Sequence, residues 1–218
     1  MEYYKSDRKE IIQLLPKKYN KVLEIGCGEG NFVNNMDGDI EIWGIEPNIN
    51  AAKIASLKMN RVINGYYEDV YTELPSQYFD LVICNDVIEH MKDHDFFLES
   101  IKSKMVNKSF IVGSIPNVRY YLNLKHLLID KDWRYCDFGI LDNTHLRFFT
   151  QKSIIRTFTN HKFIINKIKG LYKISVNYRN IKSLLSIFVL YLIIIISLGY
   201  YSDIKYLQFG FQIQKINK

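Results

Sequence analysis

Gly26, Gly28 and Gly30 stand at alternate positions directly after the apolar segment 21–25. Glycines at this spacing let the backbone turn sharply and approach a ligand with no Cβ in the way, as in the strand-to-helix loops that bind nucleoside cofactors. Glu24 lies two residues before the first glycine. A carboxylate there suits a ligand that carries an ammonium or sulfonium group better than one that carries a pyrophosphate. The spacing therefore predicts a loop for a nucleoside-bearing, cationic cofactor.

A second acidic residue is predicted to end the next strand. The segment 40–45 has the composition of a strand, and Glu46 follows it, where a carboxylate can accept hydrogen bonds from both ribose hydroxyls. Pro47 ends this strand, and Asn48 is a suitable cap for a helix over 49–58. A dinucleotide-dependent dehydrogenase is the weaker interpretation, because the G-x-G-x-x-G spacing is absent.

Acidic residues and a histidine follow a further strand, predicted over 79–84. Asp86, Glu89 and His90 would lie at the carboxyl end of that strand, where ligands bind in open α/β sheets. His90 is a candidate general base, because the unperturbed pKa of histidine is near neutrality. A histidine that only holds the loop by hydrogen bonds explains the same residue equally well.

Together these segments resemble the class I S-adenosylmethionine (SAM)-dependent methyltransferases. The glycine motif with its preceding acid is similar to the family's first motif, Glu46 to its ribose-binding acid, and 79–90 to a block of the form FDvvv…vlEH. Tyr66 stands where the family usually has an acid near the adenine, which leaves Glu68 or Asp69 to take the exocyclic amine. The resemblance implies SAM as the cofactor. The cofactor-binding residues that it implies are Glu24, Gly26, Cys27, Gly28, Gly30, Glu46, Pro47, Glu68, Asp69, Asn85 and Asp86.

The resemblance extends from about residue 19 to residue 216. At 114–120 and 139–150 the sequence is also similar to methyltransferases encoded among bacterial surface-polysaccharide and glycan-modification genes. This family builds its acceptor pocket in the insertion predicted at 116–149, and a sugar or glycan-related acceptor is implied. Aromatic faces stack on the C–H surfaces of sugars, and Arg side chains bind hydroxyl, carboxylate or phosphate oxygens. The implied substrate-binding residues are Asn117, Arg119, Tyr120, Trp133, Tyr135 and Arg147.

Methyl transfer to a sugar hydroxyl needs a general base, because the hydroxyl is a poor nucleophile until its proton leaves. The candidates are His145 and His90, with Asp142 to orient the base. With Asp86 and Glu89, these histidines also resemble the E-x-x-E-H metal set of small-RNA 2′-O-methyltransferases and of related quinone O-methyltransferases. Such side chains can hold Mg²⁺ or Mn²⁺. The first acid of the motif is Asp here, however, and the sequence prediction is a reaction without a metal.

Two other functions stay open on the sequence. One is O- or N-methylation of a quinone, lipid or other small molecule, and the other is a non-catalytic SAM-binding or membrane-docking module. Residues 1–149 carry a net charge of −4 and residues 150–218 a net charge of +10. The basic part indicates an anionic partner such as a phospholipid surface. No recognised nucleic-acid motif accompanies the charge, so no nucleic-acid partner is predicted.

The order of the segments predicts a single α/β domain over 1–218. Strands that alternate with helices predict a Rossmann-like, seven-stranded and mostly parallel sheet with helices on both faces. The last strand alternates apolar and polar residues and is expected to be antiparallel. Insertions are expected after strands five and six, at 116–149 and 175–202. The predicted strands are 21–25, 40–45, 61–64, 79–84, 109–114, 162–171 and 207–216; the predicted helices are 4–15 (capped by Ser6 or Asp7), 31–36, 49–58, 94–104 and 151–160.

Residues 183–200 form an uncharged apolar stretch inside the second insertion. Its eighteen residues make it a transmembrane candidate by length. A span would separate the last strand from the sheet, so a buried or interfacial helix is expected, used as a homodimer face or as a peripheral membrane contact. Three unevenly spaced cysteines and an N-terminus that starts no apolar run indicate the cytoplasm, with the inner face of the membrane as the contact.

Overall fold

The computed structural model describes residues 7–36, 38–174 and 181–216. Within these ranges seven strands form one sheet, in the order β3-β2-β1-β4-β5-β7-β6. The strands are β1 (Lys21–Ile25), β2 (Glu41–Glu46), β3 (Arg61–Asn64), β4 (Phe79–Asn85), β5 (Met105–Pro116), β6 (Phe163–Lys173) and β7 (Tyr206–Lys215). The α-helices are α1 (Ile49–Ala55), α2 (Tyr67–Val70), α3 (His94–Lys104), α4 (Tyr121–Lys125), α5 (Gln151–Asn160) and α6 (Ile181–Ile196).

The direction of the strands confirms the predicted fold class. β1 pairs in parallel with β2 and β4, and β7 runs antiparallel to both β5 and β6. The strand order reverses between β1 and β4, and ligands bind in open α/β sheets at such a point, beyond the carboxyl ends of the strands. Glu24 lies opposite Gly44 of β2 and Ile83 of β4, so it is at the centre of this edge.

Side chains on the two faces of the sheet form two hydrophobic clusters. Leu23 belongs to a cluster that includes Phe97 of α3 and Phe158 of α5. Its neighbour Val22 points to the other face and belongs to a cluster with Ile11. β1 is therefore buried on both faces, which explains its nearly continuous apolar sequence.

The first predicted helix differs in type and in its cap. In place of a helix over 4–15, the chain forms a 3₁₀ helix over Lys9–Leu14. Arg8 precedes it in a left-handed conformation, with φ 49°, and no side chain caps the helix. The predicted Asp7 cap is therefore wrong, and Ser6 lies outside the described residues. A segment this short forms few α-helical hydrogen bonds to offset the cost of nucleation.

Two further boundaries differ from prediction for local reasons. The segment 31–36 forms a short 3₁₀ helix over Asn31–Asn35. β5 begins at Met105, ahead of the predicted start at 109, because Met105 pairs with Phe79 before an irregularity in the β4–β5 register. The polar residues that follow Met105 conceal this part of the strand in the sequence.

The apolar stretch of the second insertion forms α6, which packs on one side. Leu190 is fully buried in a cluster with Tyr121 and Ile204, whereas Leu185 and Ile196 are 63% and 73% exposed. In the part of the chain that the structure describes, no helix is both long and apolar enough to cross a membrane. Residues 175–180, at the start of the predicted insertion, lie outside the described ranges.

Candidate active site

The glycine loop adopts backbone conformations that favour glycine. Gly26, Gly28 and Gly30 have φ of +68°, +54° and +73°. A Cβ on Gly26 would come within 2.7 Å of a Val87 methyl carbon, and a Cβ on Gly30 within 3.2 Å of Ala55. Steric strain and close packing therefore both require glycine at these two positions.

Glu46 fastens the end of β2 to the glycine loop. One carboxylate oxygen accepts a 2.9 Å hydrogen bond from the Gly28 amide, and the other accepts a 2.8 Å bond from the Asn48 amide. Asn48 also caps α1, as predicted, by accepting from the amides of Asn50 and Ala51. The glycine loop and the acidic residue after β2, which are separate in the sequence, thus form one site. Pro47 lies at its exposed edge.

Glu24 is a buried carboxyl group beside the same loop. It is 4% exposed, and its Oε2 atom has no hydrogen-bond partner. Burial, together with the negative charge of Glu46, raises the pKa of Glu24 to about 8. Burial also raises the pKa of Glu46. The loop is therefore lined by carboxyl groups that a cation would stabilise in their charged form.

The remaining predicted cofactor residues divide into inward and outward groups. Glu68 has one buried oxygen without a partner, and both amide atoms of Asn85 are also buried and unpartnered. Asp69 is exposed on α2, so Glu68 is the better placed of the two acids. The side chain of Cys27 is buried in the core, where burial raises the pKa of its thiol, so the predicted cofactor contact of Cys27 would come from its backbone.

Asp86 ties four segments together at the end of β4. It has a left-handed backbone, with φ 52°. Its carboxylate accepts a 2.6 Å hydrogen bond from the Ser114 hydroxyl and a 2.9 Å bond from the Gln208 amide, and it also pairs with the Arg8 guanidinium. No local motif in the sequence marks Arg8 or Gln208, because Asp86, their partner, is distant from both in the chain.

His90 and His145 form an edge-to-face pair, with ring centroids 4.6 Å apart. His145 Nδ1 lies 2.9 Å from the Ile140 carbonyl oxygen, and His90 Nδ1 lies 3.3 Å from the Thr144 carbonyl oxygen. A carbonyl oxygen only accepts, so Nδ1 donates in each ring, and a neutral ring in this tautomer has Nε2 as its acceptor. Burial and the neighbouring His145 lower the pKa of His90, which favours the neutral, base-competent form.

Asp142 acts on this pair through Thr144. Its carboxylate accepts a 2.8 Å bond from the Thr144 amide and a 2.6 Å bond from the Thr144 hydroxyl. The Thr144 hydroxyl in turn lies 3.1 Å from His90 Nδ1. Asp142 therefore holds the residue that orients His90, and the catalytic roles of all three predicted residues stay predictions.

These groups converge on one cavity of about 80 Å³. Its polar lining includes both histidines, Asp86 and Asp142, and its apolar lining comes from Pro116, Ile140 and Leu207. Gly139 and Gln208 complete the lining. The cavity therefore places candidate bases beside an apolar surface at the carboxyl end of β4 and β5.

None of the six predicted substrate-binding residues lines this cavity. Asn117 donates to the carbonyl oxygens of Asp203 and Tyr206, at 3.0 and 2.9 Å. Arg119 forms a 2.6 Å ion pair with the Asp203 carboxylate. Arg147 donates to the backbone carbonyls of two residues, 91 and 92. The polar groups of these three side chains form hydrogen bonds and an ion pair within the protein. The prediction that they bind substrate therefore gains no support from their contacts.

The predicted aromatic residues lie elsewhere in the first insertion. Trp133 packs edge-to-face on Phe148 at 5.2 Å, and Tyr135 lies 6.3 Å from the same ring. Tyr135 is 53% exposed. Tyr120 is half-buried, and burial raises its pKa. Trp133 and Tyr135 do not line the cavity, but they form a small aromatic surface around Phe148, whose ring lies 6.3 Å from that of the cavity residue His145.

One group within the described residues has the composition and spacing of a metal site. Ligand atoms of Glu89, His90 and His145 lie within 4.8 Å of one another. Glu89 is 1% exposed, and neither of its carboxyl oxygens has a partner. Burial and the charge of Asp86 raise its pKa well above the ordinary range. Asp86, which the sequence motif included, is not a member of this group.

Comparison with known proteins assigns the chain to a family. Residues 2–165 match the methyltransferase-domain family, which is most of the chain. The chain is 28% identical to the ubiquinone biosynthesis O-methyltransferase of Rickettsia conorii over 159 residues, which cover 69% of this chain and 53% of that enzyme. It is 26% identical to the enzyme of the same name from Rickettsia bellii, over 74% of this chain and 70% of that enzyme. The chain thus spans about half the length of the first relative and more of the second.

Solved structures show the same fold. A SAM-dependent methyltransferase from Archaeoglobus fulgidus superposes with a TM-score of 0.67 at 21% identity, over 98% of this chain and 97% of that one. Another from Aquifex aeolicus superposes with a TM-score of 0.59 at 12% identity, over 97% and 90% of the two chains. The chain therefore belongs to the methyltransferase-domain family, and its fold is that of the SAM-dependent methyltransferases.

The residues of the glycine loop fit SAM, the cofactor that this assignment implies. The unpartnered buried atoms of Glu24, Glu68 and Asn85 lie where the sequence predicts cofactor contacts. Buried polar groups nearly always have partners in folded proteins, and the amino, ribose and adenine groups of SAM offer suitable ones. When bound, SAM supplies an activated methyl group, because its sulfonium leaves as a neutral thioether.

Proposed function

We propose that the chain methylates a hydroxyl group of a small, partly apolar acceptor such as a phenol or a quinol, with SAM as the methyl donor. The observation that carries this proposal is the cavity in which His90 and His145 lie beside Pro116, Ile140 and Leu207. The names of the Rickettsia relatives, which concern ubiquinone biosynthesis, point to the same class of acceptor. The predicted sugar-binding side chains, in contrast, make contacts outside this cavity.

The chain's own residues have two tasks in this reaction. Glu46 and the glycine loop hold the cofactor, and the walls of the cavity align the acceptor and exclude water. A histidine Nε2 accepts the hydroxyl proton as the oxygen–methyl bond forms, since the hydroxyl is a weak nucleophile while protonated. Thr144, held by Asp142, keeps His90 in the tautomer that can accept this proton.

The proposal is tested by transfer of a labelled methyl group from SAM to a panel of acceptors. A catechol carrying an apolar tail should be methylated, and a matched catechol whose hydroxyls are already methylated should not. Product mass, one methyl group heavier, identifies the reaction. Binding of SAM without turnover on any hydroxyl acceptor would instead favour a non-catalytic SAM-binding module.

A divalent cation at Glu89, His90 and His145 is a second version of the same chemistry. The two unpartnered oxygens of buried Glu89 favour it, because a cation would compensate their charge and acidify an acceptor hydroxyl. The metal-free version predicts full activity after treatment with a chelator. Loss of activity on chelation, with rescue by Mg²⁺ or Mn²⁺ and no rescue in Glu89→Gln, would establish the cation instead.

A glycan acceptor is the second candidate function, favoured by the aromatic surface of Trp133 and Tyr135 around Phe148. Its test is mass spectrometry of surface glycans from cells with and without this gene. A difference of one methyl group on one sugar would support polysaccharide modification, and identical glycans would exclude it.

For either acceptor, a phenol or quinol or a glycan, we place the reaction in the cytoplasm, since Cys27, Cys84 and Cys136 are all free thiols.

A further inference from the structure

Exposed apolar side chains are concentrated in two segments that lie next to each other. We define the apolar face as the exposed hydrophobic side chains of residues 122–129 and 184–201. These segments hold 16 of the 28 large hydrophobic side chains that are exposed among the described residues. Scattered apolar residues are normal on protein surfaces, whereas a contiguous group of this kind marks a contact site.

The packing of α6 explains why the two segments share one face. Leu190 of α6 is buried in a cluster with Tyr121 of α4 and Ile204. Lys125 at the end of α4 lies 3.4 Å from the Ser186 hydroxyl of α6. α4 continues into a π-helical turn, His126–Asp130, which contributes Leu128 at 72% exposure, and α6 contributes Phe188 at 64%. The buried sides hold the helices together, and the described residues leave the remaining sides uncovered.

Lysine side chains border this face and stack on its tyrosines. Lys152 Nζ lies 5.2 Å from the centroid of the Tyr200 ring, and Lys173 Nζ lies 5.7 Å from that of Tyr191. The region 150–218 carries a net charge of +10, and its single acid, Asp203, is paired with Arg119. An apolar face bordered by cations and tyrosines complements a surface that is anionic outside and apolar beneath.

We propose that the apolar face docks on the surface of a bilayer that contains anionic lipids, with α6 lying in the plane of the interface. Burial of apolar side chains at the boundary of the headgroups and attraction of lysines to anionic lipid reinforce each other. Tyrosine is suited to this depth, because its ring is apolar and its hydroxyl is polar. α6 has 16 residues and a length of about 24 Å, and β7 returns to the sheet after it, so the helix lies on the membrane.

The chain that follows the apolar face leads directly to the cavity of the active site. Asn117, directly after Pro116 of the cavity, is bonded to the carbonyl oxygens of Asp203 and Tyr206. Tyr206 directly precedes Leu207, which also lines the cavity. Docking would thus bring the cavity close to the lipid, where an apolar acceptor is dissolved. This last step rests on the proposed function, whereas docking itself is measured without SAM or acceptor.

Flotation of the full chain with lipid vesicles tests the proposal. Vesicles of phosphatidylcholine mixed with phosphatidylglycerol should carry the protein upward at low salt, and high salt should release part of it. The double variant Leu185→Glu with Phe188→Glu should bind about tenfold or more weakly, because it places two carboxylates in the face. Leu57→Glu is the matched control, since Leu57 is 85% exposed just after α1. This variant should float as the wild type does.

A second pair of variants tests the charged border. Lys152→Gln with Lys173→Gln should reduce the salt-sensitive part of binding, and Lys53→Gln, exposed on α1, should not. Circular dichroism and SAM affinity should be unchanged in all variants, which separates lost docking from lost folding. The wild type could instead fail to float at both salt concentrations and form a dimer in solution, while the double variant at Leu185 and Phe188 is a monomer. This result would assign the face to a second copy of the chain. Resistance to alkaline carbonate would mean insertion and would equally overturn the proposal.

Discussion

Glu24 and Glu46 bring two buried carboxyl groups to the same glycine loop, and only Glu46 has hydrogen-bond partners for both of its oxygens. The pKa of Glu24, raised to about 8 by burial and by Glu46, leaves this group largely protonated at neutral pH in the SAM-free protein. A cationic ligand beside it would stabilise the carboxylate and lower the pKa again. Ligand binding and proton release are therefore coupled at this residue.

The coupling predicts that SAM affinity rises as pH increases toward about 8 and then levels off. Binding should release a proton, which calorimetry detects as a heat that depends on the ionisation enthalpy of the buffer. Glu24→Gln should bind SAM with little pH dependence in this range. Proton release that is unchanged in Glu24→Gln would show that another group titrates.

The raised pKa of Glu24 affects the stability of the SAM-free protein in the opposite direction, since it makes the free energy of unfolding fall as pH rises. The folded pKa of about 8 exceeds the ordinary value of 4.5, so the folded state binds the proton more tightly than the unfolded state does. The contribution of Glu24 to the free energy of unfolding is fully present below pH 4.5 and is lost as pH rises through 8. Urea denaturation at several pH values should show this loss in the wild type and its absence in Glu24→Gln.

Removal of the candidate bases should separate chemistry from cofactor binding. If His145 or His90 accepts the proton, its replacement by Ala should lower kcat by about a hundredfold to ten-thousandfold, with SAM affinity nearly unchanged. Steady-state kinetics and calorimetry on each variant check the two quantities. His161→Ala, which alters a histidine at the end of α5, is the control. Wild-type turnover in both His90→Ala and His145→Ala would leave these residues with a structural role.

For secondary-structure elements, local sequence predicts a turn or a helix cap well when residues close in the chain determine it. The loop from β1 and the Asn48 cap of α1 follow from residues a few positions apart, and both are confirmed. The Asp7 cap fails because Arg8 turns into the left-handed region and its side chain pairs with Asp86, which is distant in sequence. A local rule for helix caps contains no information about such a partner.

The turn from β1 should be sensitive to a single methyl group. Gly26→Ala must hold alanine at φ +68° and within 2.7 Å of Val87, so it should destabilise the fold by more than the about 1–3 kcal/mol of backbone strain alone. It should also weaken SAM binding. Gly38→Ala is the control, because Gly38 has φ +99° but nothing within 4 Å of its added Cβ. Equal stability of the two variants, with unchanged SAM affinity, would contradict this role of the loop.

Across the whole molecule, the sequence predicted the sheet and the cofactor edge but not which polar side chains are used by the fold itself. Arg119 is predicted to bind substrate because Arg side chains bind the hydroxyl, carboxylate or phosphate oxygens of a sugar, yet Asp203, 84 residues away in the sequence, pairs with it. The Asn117 amide likewise donates to the carbonyl oxygens of Asp203, just before β7, and of Tyr206, the first residue of β7. Residue type and spacing do not reveal such long-range pairs, and for this reason the contacts of Arg119 and Asn117 give the predicted acceptor site no support.

The measurement that tests the account most directly is transfer of a labelled methyl group from SAM to an apolar catechol, compared between the wild type, Glu46→Ala and Glu73→Ala. The wild type should form the methylated product. Glu46→Ala should lose this activity, because it removes the carboxylate that fastens the glycine loop and would receive the ribose. Glu73→Ala, which alters an exposed glutamate, should match the wild type. Transfer by Glu46→Ala at the wild-type rate, or a folded wild type that binds SAM and methylates no acceptor, would contradict the account.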